Sequence, residues 1–149
     1  MATITGSSAA EIAAPLDRVW AVVEDVLTAP EWQGGLKDME ELERDADGHV
    51  TLAESSSDAK VRTIRSTVRF TYGGPTRLAW RQEKGELKSV DGSWELEELG
   101  DGRTRATYHL DVELGRMLGM VIRGPLVDVL RGQLVNARAD ELKKRVEGG

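Results

Sequence analysis

The feature that most limits what this chain can fold into is a change of period. From residue 36 to residue 113 short apolar and polar runs alternate between turn signals; after Leu114 apolar residues recur at three- and four-residue spacing. Period two places successive side chains on opposite faces of a strand, and a period near 3.6 gathers them on one stripe of a helix. The first pattern predicts an antiparallel meander and the second a long amphipathic helix.

The hairpin GSWELEELGDGRTRATYHLDV shows the strand pattern best. Gly92, Trp94 and Leu96 share one face of its first strand, and Thr104, Ala106, Tyr108, Leu110 and Val112 one face of its second. Asp91, Ser93, Glu95, Glu97, Arg103, Arg105, His109 and Asp111 take the opposite face, where unlike charges can pair across strands. Gly100, Asp101 and Gly102 supply the turn. Gly92, inside a strand, marks a bend or a place where another group comes close.

The other strands follow from the same signals. Segments 36–45 and 49–55 flank the Asp47-Gly48 turn; a serine-rich turn at Ser55–Asp58 leads to 61–72; Gly73-Gly74-Pro75 leads to 77–83; and Lys84-Gly85-Glu86 leads to 87–99. Short loops between successive strands imply antiparallel pairing. Residues 2–12 read as a first strand, able to pair at an edge and bring the sheet to seven. Pro15 suits the first turn of a short helix carrying Val19, Val22, Val23 and Val26. Pro30 redirects the chain, with a second helical turn around Trp32 before Gly34-Gly35.

Toward the C-terminus Leu126, Val127, Leu130, Leu134 and Ala137 form the apolar stripe, with Asp128, Arg131, Arg138, Asp140, Lys143 and Lys144 assigned to the polar side. Gly115, Gly119, Gly124 and Pro125 predict an irregular start over 116–125. A sheet with one greasy face needs a cover, and this helix is the only large element left to provide it. The expected architecture is α+β, one domain over 1–149.

The composition narrows the function classes. A net charge of −6 over 149 residues disfavours nucleic acid as a partner. The absence of cysteine removes disulfides, thiolate catalysis and cysteine-ligated metal, and fits a reducing cytoplasm. No apolar run approaches the roughly 20 residues of a membrane-spanning helix, and no secretory leader is apparent at the N-terminus. His49 and His109 lie in different elements without metal-ligand spacing and are assigned to solvated surface. The glycines form no P-loop or dinucleotide fingerprint. The acidic series from Glu40 to Asp47 reads as a solvated strand edge. No metal, cofactor or catalytic residue is assigned.

Facing inward, Ser66, Val68, Phe70, Tyr72, Leu78, Trp80, Trp94, Ala106, Tyr108 and Leu110, with Leu126 and Leu130 from the helix, are the expected ligand-binding residues. Gln82 and Thr104 add sparse polar groups among hydrophobic walls, the composition of an apolar pocket.

The order IAAPLDRVW (12–20), Asp25, PEW (30–32), Gly34-Gly35, GSWELE (92–97) and GDGRTRATY (100–108) resembles the START-like, Bet v 1-like superfamily. Its polyketide cyclase/dehydrase and lipid-transport branch, often called SRPBCC proteins, is the nearest match. The resemblance implies a helix-grip fold: a seven-stranded curved antiparallel sheet wrapped around a long C-terminal helix, two short helices after the first strand, and an apolar cavity within. Pro15, Val19, Trp20, Trp32, Gly92, Trp94 and Thr104 carry the match, and none is an obvious acid, base or nucleophile.

The leading expectation is therefore a binder or carrier of a small hydrophobic molecule (a lipid, polyketide or aromatic metabolite), non-enzymatic, cytoplasmic, and a monomer or homodimer. The alternatives are a polyketide cyclase, aromatase or dehydrase drawing on Tyr72, Tyr108 or Arg81, and an interaction module using residues 116–122.

Overall fold

The computed structural model describes residues 3–148; residue 2, included in the expected first strand, lies outside this range. Seven strands form one antiparallel sheet in the order β1-β7-β6-β5-β4-β3-β2. They span Thr3–Ile12 (β1), Leu36–Arg44 (β2), Val50–Asp58 (β3), Thr63–Gly73 (β4), Arg77–Gly85 (β5), Ser89–Gly100 (β6) and Arg103–Glu113 (β7). Every pair from β2 to β7 is a sequence-adjacent hairpin, as short loops require. β1 joins last, against β7, with Ile4 opposite Val112 and Ile12 opposite Thr104.

Two turn assignments are corrected. Ser55–Asp58 is strand: it pairs on one side with β2 and on the other with β4, Ser55 opposite Ser66 and Asp58 opposite Thr63. The ladder on both sides overrides the weak strand propensity of serine. The turn itself falls at 59–62, where Lys60 has φ 70° and donates its N–H to Asp58 Oδ1 at 2.8 Å. Similarly, β5 runs on through Lys84 and Gly85, because a bulge lets Lys84 face Thr67 while Gln82 faces Val68.

Helix α1 (Leu16–Glu24) follows Pro15, which stands as its N-cap at φ −70° and ψ 160°. A 3₁₀ helix, Val26–Glu31, contains Pro30 near its end, so the redirection of the chain comes after Trp32 and not at the proline. After β7 come α2 (Arg116–Val121) and α3 (Pro125–Arg131), separated at 122–124 as the glycines and proline predict. A π turn, Gly132–Asn136, then joins α3 to α4 (Arg138–Gly148).

The π turn departs from the continuous helix that the apolar spacing predicts, and it changes which residues point inward. Ala137 N–H donates to Gly132 O, five residues back, at 3.1 Å. One extra residue in a turn rotates everything that follows by roughly 100°. The buried positions accordingly run Leu130, Val135, Ala139, Leu142 and Val146. Arg138, assigned to the polar side, is instead buried at 3% exposure.

The core lies between the concave face of the sheet and this composite helix. On the opposite face, cross-strand polar pairs line up as the alternation predicts: Arg81 with Asp91 at 2.9 Å and Arg69 with Glu83 at 2.7 Å are ion pairs, and His109 Nε2 lies 3.1 Å from Glu95 Oε2. These pairs are exposed and contribute little each. No helix among the described residues is long and apolar enough to cross a membrane.

Candidate functional site

Between sheet and helix lies a cavity of about 150 Å³, partly open to solvent. Its wall is built mostly from the inward parity of β4 to β7. In β4, Ser66, Val68 and Phe70 share that parity; in β5 Leu78 and Trp80; in β6 Val90 and Trp94; in β7 Tyr108, Leu110 and Val112. The 3₁₀ helix and β2 add Val26, Ala29, Trp32 and Met39, and the C-terminal helix closes the space with Leu130, Leu134 and Arg138.

An arc of aromatic rings forms one continuous side. Ring centroids are 6.2 Å apart for Trp32 and Trp94, 4.8 Å for Trp94 and Tyr108, 5.7 Å for Tyr108 and Trp80, and 6.3 Å for Trp80 and Phe70. All four pairs are tilted, a favourable arrangement for aromatic quadrupoles. Trp94 is both core and wall: it is 1% exposed and contributes to the lining.

Gly92 explains how the arc fits. It lies opposite Trp80 in the β5–β6 register, and a methyl group there would fall 2.3 Å from Cε2 and Cζ2 of that indole. The close approach anticipated at this glycine is the Trp80 ring lying across the strand. Gly34 and Gly35 serve the helix side in the same way, since side chains there would strike Glu141, Gln133 and Leu134.

Nine of the twelve residues expected to bind a ligand face the cavity: Ser66, Val68, Phe70, Leu78, Trp80, Trp94, Tyr108, Leu110 and Leu130. Tyr72 does not, because its ring stacks on His49 at 4.3 Å and its hydroxyl donates to Val50 O at 2.6 Å. Burial holds its phenol above the ordinary value, with Asp45 and Glu24 adding to the effect. Ala106 is fully buried in register with Ala10 and Leu96, in the solid part of the core. Leu126 packs beside the core from the first turn of α3, and it is Leu130, one turn later, that reaches the cavity.

His49 differs from its assignment to solvated surface: it is half-buried between Tyr72 and Glu24, whose Oε2 lies 3.1 Å from Nε2. Arg81 keeps its outward parity and is exposed.

The polar groups divide into two sets. Ser66 Oγ donates to Gln82 Oε1 at 2.7 Å, and Gln82 Nε2 donates to Leu87 O at 2.8 Å, so this set is matched internally. Thr104 is also matched, donating to Ala14 O at 2.9 Å.

The second set is not fully matched. Arg138 Nη1 donates to Gly34 O at 2.9 Å and to Glu141 Oε1 at 2.8 Å, while Gly34 N–H donates to Glu141 Oε2 at 2.8 Å. The guanidinium carbon lies 5.6 Å from the Tyr108 ring centroid, within cation–π range. Yet Arg138 Nε and Trp32 Nε1 are buried without an acceptor among the described residues. Each such donor costs about 1–3 kcal/mol.

Neither Trp32 nor Arg138 was among the expected ligand residues. Trp32 was visible only as a motif residue. An uninterrupted helix period puts Arg138 on the polar side, and the π turn brings it inside.

A curved sheet gripping a helix around an apolar, aromatic-lined cavity defines the helix-grip class. Residues 12–138 match the polyketide cyclase / dehydrase and lipid transport family, and the chain belongs to it. No curated protein matches the sequence.

Solved structures reproduce the fold at low identity. A START superfamily protein from Mycobacterium smegmatis is 22% identical with a TM-score of 0.81, over 97% of each chain. A protein from Thermus thermophilus is 19% identical with a TM-score of 0.79, over 99% of this chain and 98% of that one. An aromatase/cyclase from a Streptomyces species is 22% identical with a TM-score of 0.67, over 99% of this chain and 86% of that one.

Proposed function

We propose that this protein binds a small apolar molecule, ring-containing by preference, in the cavity between sheet and helix. The observation that carries the reading is the cavity itself. Left empty, an apolar cavity of about 150 Å³ costs up to about 3–4 kcal/mol at roughly 24 cal/mol per Å³. That is a large fraction of the stability of a domain this size. A chain whose cavity serves only as core gains by filling it, and larger apolar residues at Ala29 or Val68 would do so. Its volume is close to that of an engineered cavity that takes up benzene. The aromatic arc supplies flat faces for a ring.

The test has two arms: mass spectrometry of compounds extracted from natively purified protein, and thermal shift with a panel of small aromatics and fatty acids. A ligand at a hundred times its Kd raises stability by about 2.7 kcal/mol, or roughly 5–10 °C in Tm for a chain of this length. If nothing co-purifies and no compound moves Tm, the reading fails.

A second reading, cyclisation of a polyketone, draws on one observation: Tyr108 is a hydroxyl-bearing residue in the cavity wall. It requires that Tyr108→Phe lose product formation from a poly-β-ketone surrogate. Formation no faster than in buffer with the wild type rules it out. The cysteine-free composition supports a cytoplasmic location, which cell fractionation tests. A monomer or homodimer is the corresponding assembly, checked by light scattering.

A further inference from the structure

We infer that the ligand carries an sp² acceptor oxygen, a ketone or carboxylate, and that Arg138 and Trp32 receive it. The inference rests on the ligand-binding reading above and specifies the ligand's polar end.

Both residues contribute to the cavity wall. Both present a buried N–H for which no described residue offers an acceptor. The two sit on the same side of the cavity: Arg138 holds the carbonyl of Gly34, two residues after Trp32, and Trp32 and Arg138 flank the Trp94–Tyr108 pair, Trp32 at 6.2 Å from Trp94 and the guanidinium at 5.6 Å from Tyr108. The guanidinium makes both of its hydrogen bonds from Nη1. Its Nε edge is thus left over, and that edge, with its planar fork, matches carbonyl and carboxylate oxygens. Trp32 can only donate, as can arginine, so the group that satisfies both must accept.

Three features hold this side in place. Glu141 grips Arg138 and also accepts the Gly34 N–H. Tyr108 lies beneath the guanidinium. The π turn delivers Arg138 to the interior at all. Because Glu141 already balances the arginine charge, the site does not demand an anion, and a neutral ketone satisfies it as well as a carboxylate does.

The experiment compares acetophenone, benzoate and α-methylstyrene, in which a methylene replaces the ketone oxygen at nearly constant shape. Dissociation constants are measured with the full chain and with Trp32→Phe and Arg138→Lys. Phenylalanine removes the indole N–H; lysine keeps a cation for Glu141 and Gly34 but loses the Nε edge.

At least one oxygenated compound is expected to bind the wild type about tenfold or more tightly than α-methylstyrene, and each variant to shrink that ratio by about threefold or more. Reading the ratio, not the absolute affinity, separates loss of a donor from a change in cavity volume or stability. A preference for benzoate assigns the ligand a carboxylate; one for acetophenone assigns it a ketone. If α-methylstyrene binds as well as both oxygenated compounds, or if neither variant alters the ratio, the acceptor assignment is overturned while the cavity reading stands. If none of the three compounds binds, the acceptor assignment is overturned, and the cavity reading falls with it only when the wider panel of aromatics and fatty acids also leaves Tm unmoved.

Discussion

Adding one methyl group at Gly92 tests whether the aromatic arc is packed as described. An alanine Cβ would lie 2.3 Å from Cε2 and Cζ2 of Trp80 and 2.4 Å from Nε1. Carbon contacts settle near 3.5–4.0 Å, so the indole must retreat by about 1.2–1.7 Å. The movement is constrained by Tyr108 at 5.7 Å on one side and Phe70 at 6.3 Å on the other. Overpacking of this kind costs about 1–3 kcal/mol, a fall in Tm of roughly 2–12 °C for a chain of this length. Replacing Trp80 by leucine removes the obstacle. In that background Gly92→Ala should be neutral or stabilise by up to about 1 kcal/mol, as alanine does over glycine within a strand. The assay is urea denaturation of wild type, both single variants and the double variant, followed by far-UV circular dichroism. A coupling energy of about 1–3 kcal/mol between the two positions is expected. Strict additivity, or a Gly92→Ala chain as stable as wild type, would refute the packing.

Three further outcomes are expected. Thr104→Val keeps the shape of a fully buried side chain but leaves Ala14 O without its 2.9 Å donor, and should destabilise by about 1–3 kcal/mol in urea denaturation. Glu147 accepts from the Ala13 N–H at 2.8 Å and from Lys143 at 2.6 Å, which hold its carboxyl below the ordinary 4.5. A lowered folded-state value means stability present above pH 4.5 and lost as pH falls through the lowered value. Glu147→Gln should therefore lower stability at neutral pH and flatten the acid limb of the profile, so that the two chains converge in acid; urea denaturation across the acid-to-neutral range measures both effects. Met117 and Met120 on α2 are 83% and 65% exposed. Aspartate at either position should change stability by no more than about 0.5 kcal/mol; a shift to later elution on a sizing column would reveal self-association through residues 116–122.

Much of the architecture was legible because its determinants are local and repetitive. Inward and outward parity in β4 to β7 follows directly from alternation, and Gly92 signalled a close approach before its partner was known. Where alternation misled, the reason was tertiary. A serine run reads as a turn by propensity, yet Ser55–Asp58 is held extended by a ladder on each side. Parity states which face a side chain takes, but not whether helix or empty space lies opposite. Ala106 and Tyr108 therefore share a face while only Tyr108 meets the cavity.

The polar side of the cavity depended on a subtler property of the sequence. The C-terminal segment carries two apolar stripes of helical spacing: Leu126, Val127, Leu130 and Leu134 form one, and Val135, Ala139, Leu142 and Val146 form the other. They are out of phase by one residue. A continuous α-helix cannot bury both against one sheet, since α-helical continuation would turn the second stripe away by about 100°. Inserting one residue in a π turn brings both inward, which is what Gly132–Asn136 does. The same rotation carries Arg138 into the core beside Tyr108 and Gly34. Burying a guanidinium is costly unless it is paired, and Glu141, one turn further on, pairs it at 2.8 Å. The phase slip between the stripes was thus the sign, readable in the sequence, that this helix has an irregular turn and that a charged residue beyond it could be brought inside.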